Sequence, residues 1–204
     1  MKSMSVKGGS GMGCIIASCQ TGFEDVDFHI ARQAALGGAV MLRTQNIDRL
    51  LCLGLPIIGL KKMYGNEVFI TPGTTYIDAV KKEGADIVAI DCTGKNRERN
   101  YLTKYAHDLG LAVVADIASI EDMGGKFECD YIATTLSPIP ADIDLVKDLA
   151  GYDKKIIAEG GFASIGDVED AMFEGADFVC IGKWFEELVS ETIGEINARF
   201  DDSI

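Results

Sequence analysis

One glutamate in this chain stands where catalytic carboxylates are often held. Lys155–Glu159 is a short apolar run, and Glu159 closes it. Gly160 and Gly161 follow as a tight turn, and Ser164 then opens a helical pattern. Two glycines let a backbone turn sharply and bring its N–H groups near a ligand, and a helix start favours an anion. Six other apolar runs also end in polar or charged residues. They supply Gln20, Arg43, Lys61-Lys62, Asp91, Asp116 and Thr134-Thr135, and an eighth run ends in Gly182-Lys183. A lysine held near carboxylates away from bulk water can be tuned toward neutrality and act as a base beside a carbonyl. Lys61 and Lys62 point to opposite sides of an extended chain, so one of them faces any shared site. Periodicity does not choose between them.

Such residues do chemistry together only if a fold gathers them. The runs are Cys14–Ser18, Ala39–Arg43, Pro56–Leu60, Ile87–Asp91, Ala112–Asp116, Tyr131–Thr135, Lys155–Glu159 and Phe178–Gly182. They are continuously apolar rather than alternating, which suits strands buried on both faces. Amphipathic segments separate them. Ile77 and Val80 share a face with Lys81 and Lys82 outward, and Ile165, Val168 and Met172 share another. Gly84 and Gly175 stand as helix stops. The segment Ile120–Lys126 reads as a shortened helix. Phe185, Leu188, Val189, Thr192, Ile193 and Ile196 form an apolar face that would close the ring. Eight βα units predict an α/β fold: a (β/α)8 TIM barrel of the phosphate-binding type, with its chemistry at the strands' carboxyl ends. Residues 1–12 read as a flexible N-terminus and 13–204 as a single barrel domain. The run Glu83-Gly84-Ala85-Asp86-Ile87-Val88 echoes Glu174-Gly175-Ala176-Asp177-Phe178-Val179, a weak sign of internal repetition.

Composition narrows the function. A net charge of −13 argues against a nucleic-acid partner. No apolar run is long enough to cross a membrane, and the N-terminal residues lack a signal-peptide core. The six cysteines form no CxxC pair and read as reduced thiols of a cytoplasmic protein. His29 and His107 fall on helical segments, away from strand ends. Three acidic strand ends without a histidine or compact spacing make a poor metal site, so no metal is expected. A structural ion network is the competing reading of the charged ring, and a Schiff-base lysine is another use of the same lysine.

The ordered set Ser18-Cys19-Gln20, Gly38-Ala39 to Arg43, Leu55-Pro56-Ile57-Ile58-Gly59-Leu60-Lys61-Lys62, Val68-Phe69-Ile70-Thr71, Asp91-Cys92-Thr93, Ala115-Asp116-Ile117-Ala118, Thr134-Thr135-Leu136 and Ala158-Glu159-Gly160 resembles the bacterial N-acetylmannosamine-6-phosphate 2-epimerases. The resemblance runs in order through most of the chain. It implies a barrel isomerase of sialic-acid catabolism that interconverts N-acetylmannosamine 6-phosphate and N-acetylglucosamine 6-phosphate without a cofactor. It selects Lys62 over Lys61 as the catalytic lysine and pairs it with Glu159. Gln20, Arg43, Asp91, Arg97, Asp116 and Thr135 become the expected sugar contacts. Gly160, Gly161, Gly182 and Lys183 become the phosphate site. A homodimer is also common in the family. Three loops depart from the family pattern: Lys62-Met63-Tyr64, Pro138-Ile139-Pro140 and Lys183-Trp184-Phe185-Glu186. They leave open another barrel isomerase or lyase on a different sugar phosphate, or a non-catalytic ligand-binding barrel.

Overall fold

The eight apolar runs become eight parallel strands that close on themselves in sequence order, the last pairing with the first. The computed structural model describes residues 14–60, 73–94, 97–124 and 128–182, together with 194 and 198. The strands are β1 (Ile15–Cys19), β2 (Met41–Thr44), β3 (Ile57–Gly59), β4 (Ile87–Asp91), β5 (Ala112–Asp116), β6 (Tyr131–Ala133), β7 (Lys155–Glu159) and β8 (Phe178–Ile181). Around them lie α1 (Glu24–Leu36), α2 (Ile47–Leu50), α3 (Gly73–Lys82), α4 (Arg99–Asp108), α5 (Ile143–Leu149) and α6 (Ile165–Phe173). Single 3-10 turns occupy Leu51–Leu53 and Ile120–Met123. The expected (β/α)8 barrel is therefore the observed architecture.

Two apolar layers hold it. Ile16, Met41, Ile58, Leu60, Ile87, Ala89, Val114, Ala133, Ile157 and Cys180 fill the barrel interior. The alternate strand residues, among them Ala17, Leu42, Val88, Val113 and Ala158, face the helices. Strands buried on both faces need apolar side chains at both parities, which is why the runs do not alternate. Ser164 caps α6 in a reciprocal capping box with Asp167, and Val168 is buried beneath it. Gly175 ends that helix at φ +111°, and a Cβ there would meet the Ala150 Cβ at 2.9 Å.

The structure corrects several strand ends. β2 begins at Met41 rather than Ala39, and β6 stops at Ala133, so Thr134 and Thr135 lie just past it. The Thr134 amide still bonds the Ile157 carbonyl, at 3.2 Å, but its hydroxyl turns to the backbone of the next strand. The expected short helix at Ile120–Lys126 is one 3-10 turn closed by Gly124. The N-terminal stretch 1–12 and the apolar face expected over 185–196 lie outside the described residues.

The repeated Gly-Ala-Asp motif has a structural meaning. Asp86 and Asp177 each donate a backbone N–H to the carbonyl of a residue at the start of the preceding strand, Ile57 or Ile156, and accept that residue's N–H on the carboxylate. Asp130 does the same with Val113. The β3–β4, β5–β6 and β7–β8 pairs thus begin with an aspartate clamp on the amino-terminal face of the barrel. Between β1 and β2, Val40 keeps the backbone bond to Ile15.

Candidate active site

Arg43 is the centre of the barrel mouth. It leaves β2 pointing inward and is 0 % exposed. Its Nη2 lies 2.7 Å from Asp116 Oδ2 on β5, and its Nε lies 3.3 Å from Glu159 Oε1 on β7. Its Nη1 is buried without a hydrogen-bond partner among the described residues. Thr135 Oγ1 completes the cluster, 2.9 Å from Asp116 Oδ1 and 3.0 Å from Glu159 Oε2. Arg43, Asp116, Thr135 and Glu159 come from four strand ends separated by more than a hundred residues of chain, and the barrel makes them neighbours.

The electrostatics are unbalanced. One guanidinium faces two carboxyl groups in a place with little water. Burial works against the charge on Arg43, but Asp116 and Glu159 outweigh it and hold the guanidinium protonated. Burial pushes the Glu159 carboxyl above its ordinary value; Arg43 pulls it back in part, and Asp116 pushes it further up. Cys180, the register partner of Glu159 on β8, is within hydrogen-bonding reach of that carboxyl. Burial and the same carboxyl push the Cys180 thiol well up, so it stays a neutral thiol. An acid that keeps its proton while a nearby carboxylate is paired with an arginine can give that proton to a ligand oxygen.

The other expected residues divide by place. Asp91 sits beside Asp116 in register, and its Oδ1 accepts the Thr93 amide at 2.9 Å. Gln20 is half-buried past β1, with its Nε2 2.7 Å from Ser18 Oγ. Gly182 closes on the same serine: a Cβ there would lie 3.6 Å from the Ser18 Cβ. Arg97 is exposed in the turn before α4. Lys62 and Lys183 lie outside the described residues.

The glycine turn is shaped by its neighbour loop. Gly160 and Gly161 hold φ +118° and +76°. The Gly160 carbonyl accepts the Ala141 amide at 2.5 Å, and a Cβ on Gly161 would meet the Pro140 Cβ at 2.8 Å. Ala141 itself adopts a left-handed φ of +48° to make this contact. At the start of α6, the amides of Ala163 and Ser164 donate to the Asp167 carboxylate at 2.9 and 3.0 Å. That helix start already carries its own anion.

Several residues of the mouth were given no individual role from sequence. Thr134 is fully buried and its hydroxyl grips both backbone groups of Glu159, accepting the N–H at 2.9 Å and donating to the C=O at 2.7 Å. Buried Asp27 ties Thr21 to Asn46, and Asp122 ties Gly94 to Ala118 and Ser119. Arg99 binds the carbonyls of Cys92, Asp122 and Gly124. The spacing Ser119-x-x-Asp122 was a legible capping signature, but Asp27 and Arg99 had no comparable signal. Among the described residues, no three His, Cys, Asp or Glu side chains converge as a metal cage. No helix among them is long and apolar enough to cross a membrane.

Comparison with known proteins adds independent findings. The model of the family described as "Putative N-acetylmannosamine-6-phosphate epimerase" matches residues 28–201. Proteins of Yersinia pseudotuberculosis serotype O:3 (strain YPIII) and Yersinia pestis (strain Pestoides F), both named "Putative N-acetylmannosamine-6-phosphate 2-epimerase", are 34% identical over 191 residues, covering 82% of this chain and 82% of theirs. The solved N-acetylmannosamine-6-phosphate 2-epimerase from Clostridium perfringens superposes with a TM-score of 0.76 at 24% identity, over 96% of this chain and 95% of that one. A thiamine phosphate pyrophosphorylase from Pyrococcus furiosus reaches 0.68 at 13% identity, over 93% and 98%. These two structural likenesses speak to the fold alone.

Proposed function

Since the chain belongs to the N-acetylmannosamine-6-phosphate epimerase family, we propose that it interconverts N-acetylmannosamine 6-phosphate and N-acetylglucosamine 6-phosphate by moving the proton on C2. The observation that carries this reading is the largely buried acid Glu159, held at the barrel mouth between Arg43 and Thr135.

The C2 hydrogen of a sugar is acidic only when C1 is a carbonyl, so the ring must open first. Glu159, whose carboxyl burial pushes above its ordinary value, gives its proton to the ring oxygen as the C1–O bond breaks, and the C1 hydroxyl gives its own proton to water, which leaves the carbonyl. Lys62 then removes the C2 hydrogen, and the charge that develops on the C1 oxygen turns toward Arg43, whose Nη1 has a donor to spare. A proton from solvent on the opposite face inverts C2, Lys62 releases the proton it took, and ring closure returns one to Glu159. The proton transfers as drawn change no oxidation state, so they call on no net oxidant or reductant. Gln20, Asp91, Arg97 and Asp116 are the proposed contacts to the sugar. The phosphate goes to the loops after β7 and β8, on Gly160, Gly161, Gly182 and Lys183. It uses those loops rather than the first amides of α6, which Asp167 already holds. The proposed setting is the cytoplasm, with the chain acting as a homodimer in sialic-acid catabolism.

The test is proton NMR of N-acetylmannosamine 6-phosphate with the protein in deuterium oxide. Formation of the C2 epimer with deuterium at C2 supports the reading; binding without exchange overturns it. A second reading, a different sugar phosphate, is favoured by the loop that folds Pro140 onto Gly161 beside the proposed phosphate site. It predicts no reaction of this substrate but label uptake with another 6-phosphosugar.

A further inference from the structure

Thr135 poses a problem of proton counting. Its hydroxyl has one hydrogen, yet it lies 2.9 Å from an oxygen of Asp116 and 3.0 Å from an oxygen of Glu159. Two anionic carboxylates cannot both be satisfied by one O–H. The second contact is attractive only if the other carboxyl carries a proton and donates. Asp116 is the wrong candidate, because its other oxygen takes a 2.7 Å bond from Arg43. Glu159 is the right one. Its contact with Arg43 Nε is 3.3 Å and is not a hydrogen bond, since that nitrogen has no bonded partner. Among the described residues, the titratable or charged groups facing the Glu159 carboxyl are Arg43 from β2, Asp116 from β5 and Cys180 from β8.

We propose that Glu159, Thr135 and Asp116 form one directed chain, with the Glu159 O–H donating to Thr135 Oγ1 and the Thr135 O–H donating to Asp116. Thr135 is then a positioning residue for the acid rather than a contact to the sugar. The chain also answers the charge change during catalysis. When Glu159 gives its proton to a substrate oxygen it becomes an anion. Rotation about the Cβ–Oγ1 bond turns the Thr135 O–H from Asp116 to Glu159, while Asp116 keeps Arg43. When ring closure returns a proton to Glu159, the reverse rotation resets the site. Thr134 makes this possible by gripping the Glu159 backbone on both sides, so that the carboxyl moves little between the two states.

The inference rests on the proposed acid role of Glu159, but its test needs no substrate. Protein labelled with carbon-13 at the glutamate carboxyl is titrated by NMR, and the Glu159 resonance is identified as the one absent from Glu159→Gln. The expected result is a wild-type midpoint above the ordinary carboxylate range. Thr135→Val should move it down, because the variant removes the acceptor that favours the neutral acid, and Thr135→Ser should restore it. A wild-type midpoint in the ordinary range overturns the proposal whether or not the variants fold. A midpoint that rises in Thr135→Val also overturns it, since that is the sign expected if the hydroxyl donates to an ionised Glu159. If the epimerase assay succeeds, Thr135→Val should lower kcat on the order of ten-fold with KM little changed, a part of the roughly 10²–10⁴-fold that general acid–base catalysis supplies. Failure of the epimerase assay with the titration as expected would reject the substrate and leave the proton chain standing.

Discussion

Arg43 and Glu159 show how much at this site depends on single protons. Both side chains are held out of water, and the guanidinium has more carboxyl neighbours than it can neutralise. The Glu159 carboxyl therefore titrates above its unfolded value. It binds more protons in the folded chain than in the unfolded one over the interval between those two values. Stability must fall with rising pH across that interval, starting from the ordinary carboxylate range. Glu159→Gln removes this dependence. Its melting temperature relative to wild type should rise as pH increases through the interval and level off above it, as read by thermal unfolding at a series of pH values. For the chemistry, Lys62→Met should abolish exchange of the C2 hydrogen with solvent deuterium, and retained exchange would remove Lys62 from the mechanism.

Among the elements, the loops at the mouth and the clamps at the opposite face divide the labour. Gly161 belongs to the mouth: its positive φ and the approach of Pro140 exclude any side chain. Gly161→Ala should cost roughly 1–3 kcal/mol in chemical denaturation, from left-handed strain and overpacking together. Gly160→Ala, where the nearest atom to a Cβ would be the Thr134 carbonyl oxygen at 3.7 Å, carries strain without the clash and should cost less. Asp177 belongs to the far face, where it satisfies the Ile156 amide and pairs with Lys155. Asp177→Ala leaves that amide unbonded and should lose about 1–3 kcal/mol. Its kcat should match wild type, because catalytic groups of such barrels collect at the other end of the strands. The echo of Gly-Ala-Asp in the sequence was read as weak evidence of repetition. The third clamp, at Asp130, lacks the Gly-Ala that made the echo visible, and only the paired backbone bonds reveal it.

At the scale of the molecule, the two apolar layers decide which groups meet solvent. Five of the six cysteines are buried and Cys52 is exposed; all six are free thiols. Burial pushes the Cys129 thiol up to about 11, and it pushes Cys19 and Cys92 higher. A thiol-reactive dye should therefore label one cysteine per native chain rapidly, with the other five appearing on denaturation. Fast labelling of a second thiol would show that the barrel opens more readily than its packing implies. The interior layer also sets the depth of the site. Ile16, Ile58, Ala89, Val114 and Ile157 are buried in the apolar layer inside the barrel.

The sequence by itself determined the architecture and marked several of the polar residues that end its strands. Eight unalternating apolar runs need a sheet covered on both faces, and a closed parallel barrel puts every run's polar terminus at one end. Gln20, Arg43, Asp91, Asp116, Thr135 and Glu159 were legible on that ground alone. Tertiary structure decided who bonds to whom. That Thr135 touches two carboxyls, that Thr134 brackets Glu159, and that Pro140 sits on Gly161 all depend on strand register and loop path. Those are set by packing between segments far apart in sequence, and no local pattern of residues encodes a distance between two strands' side chains.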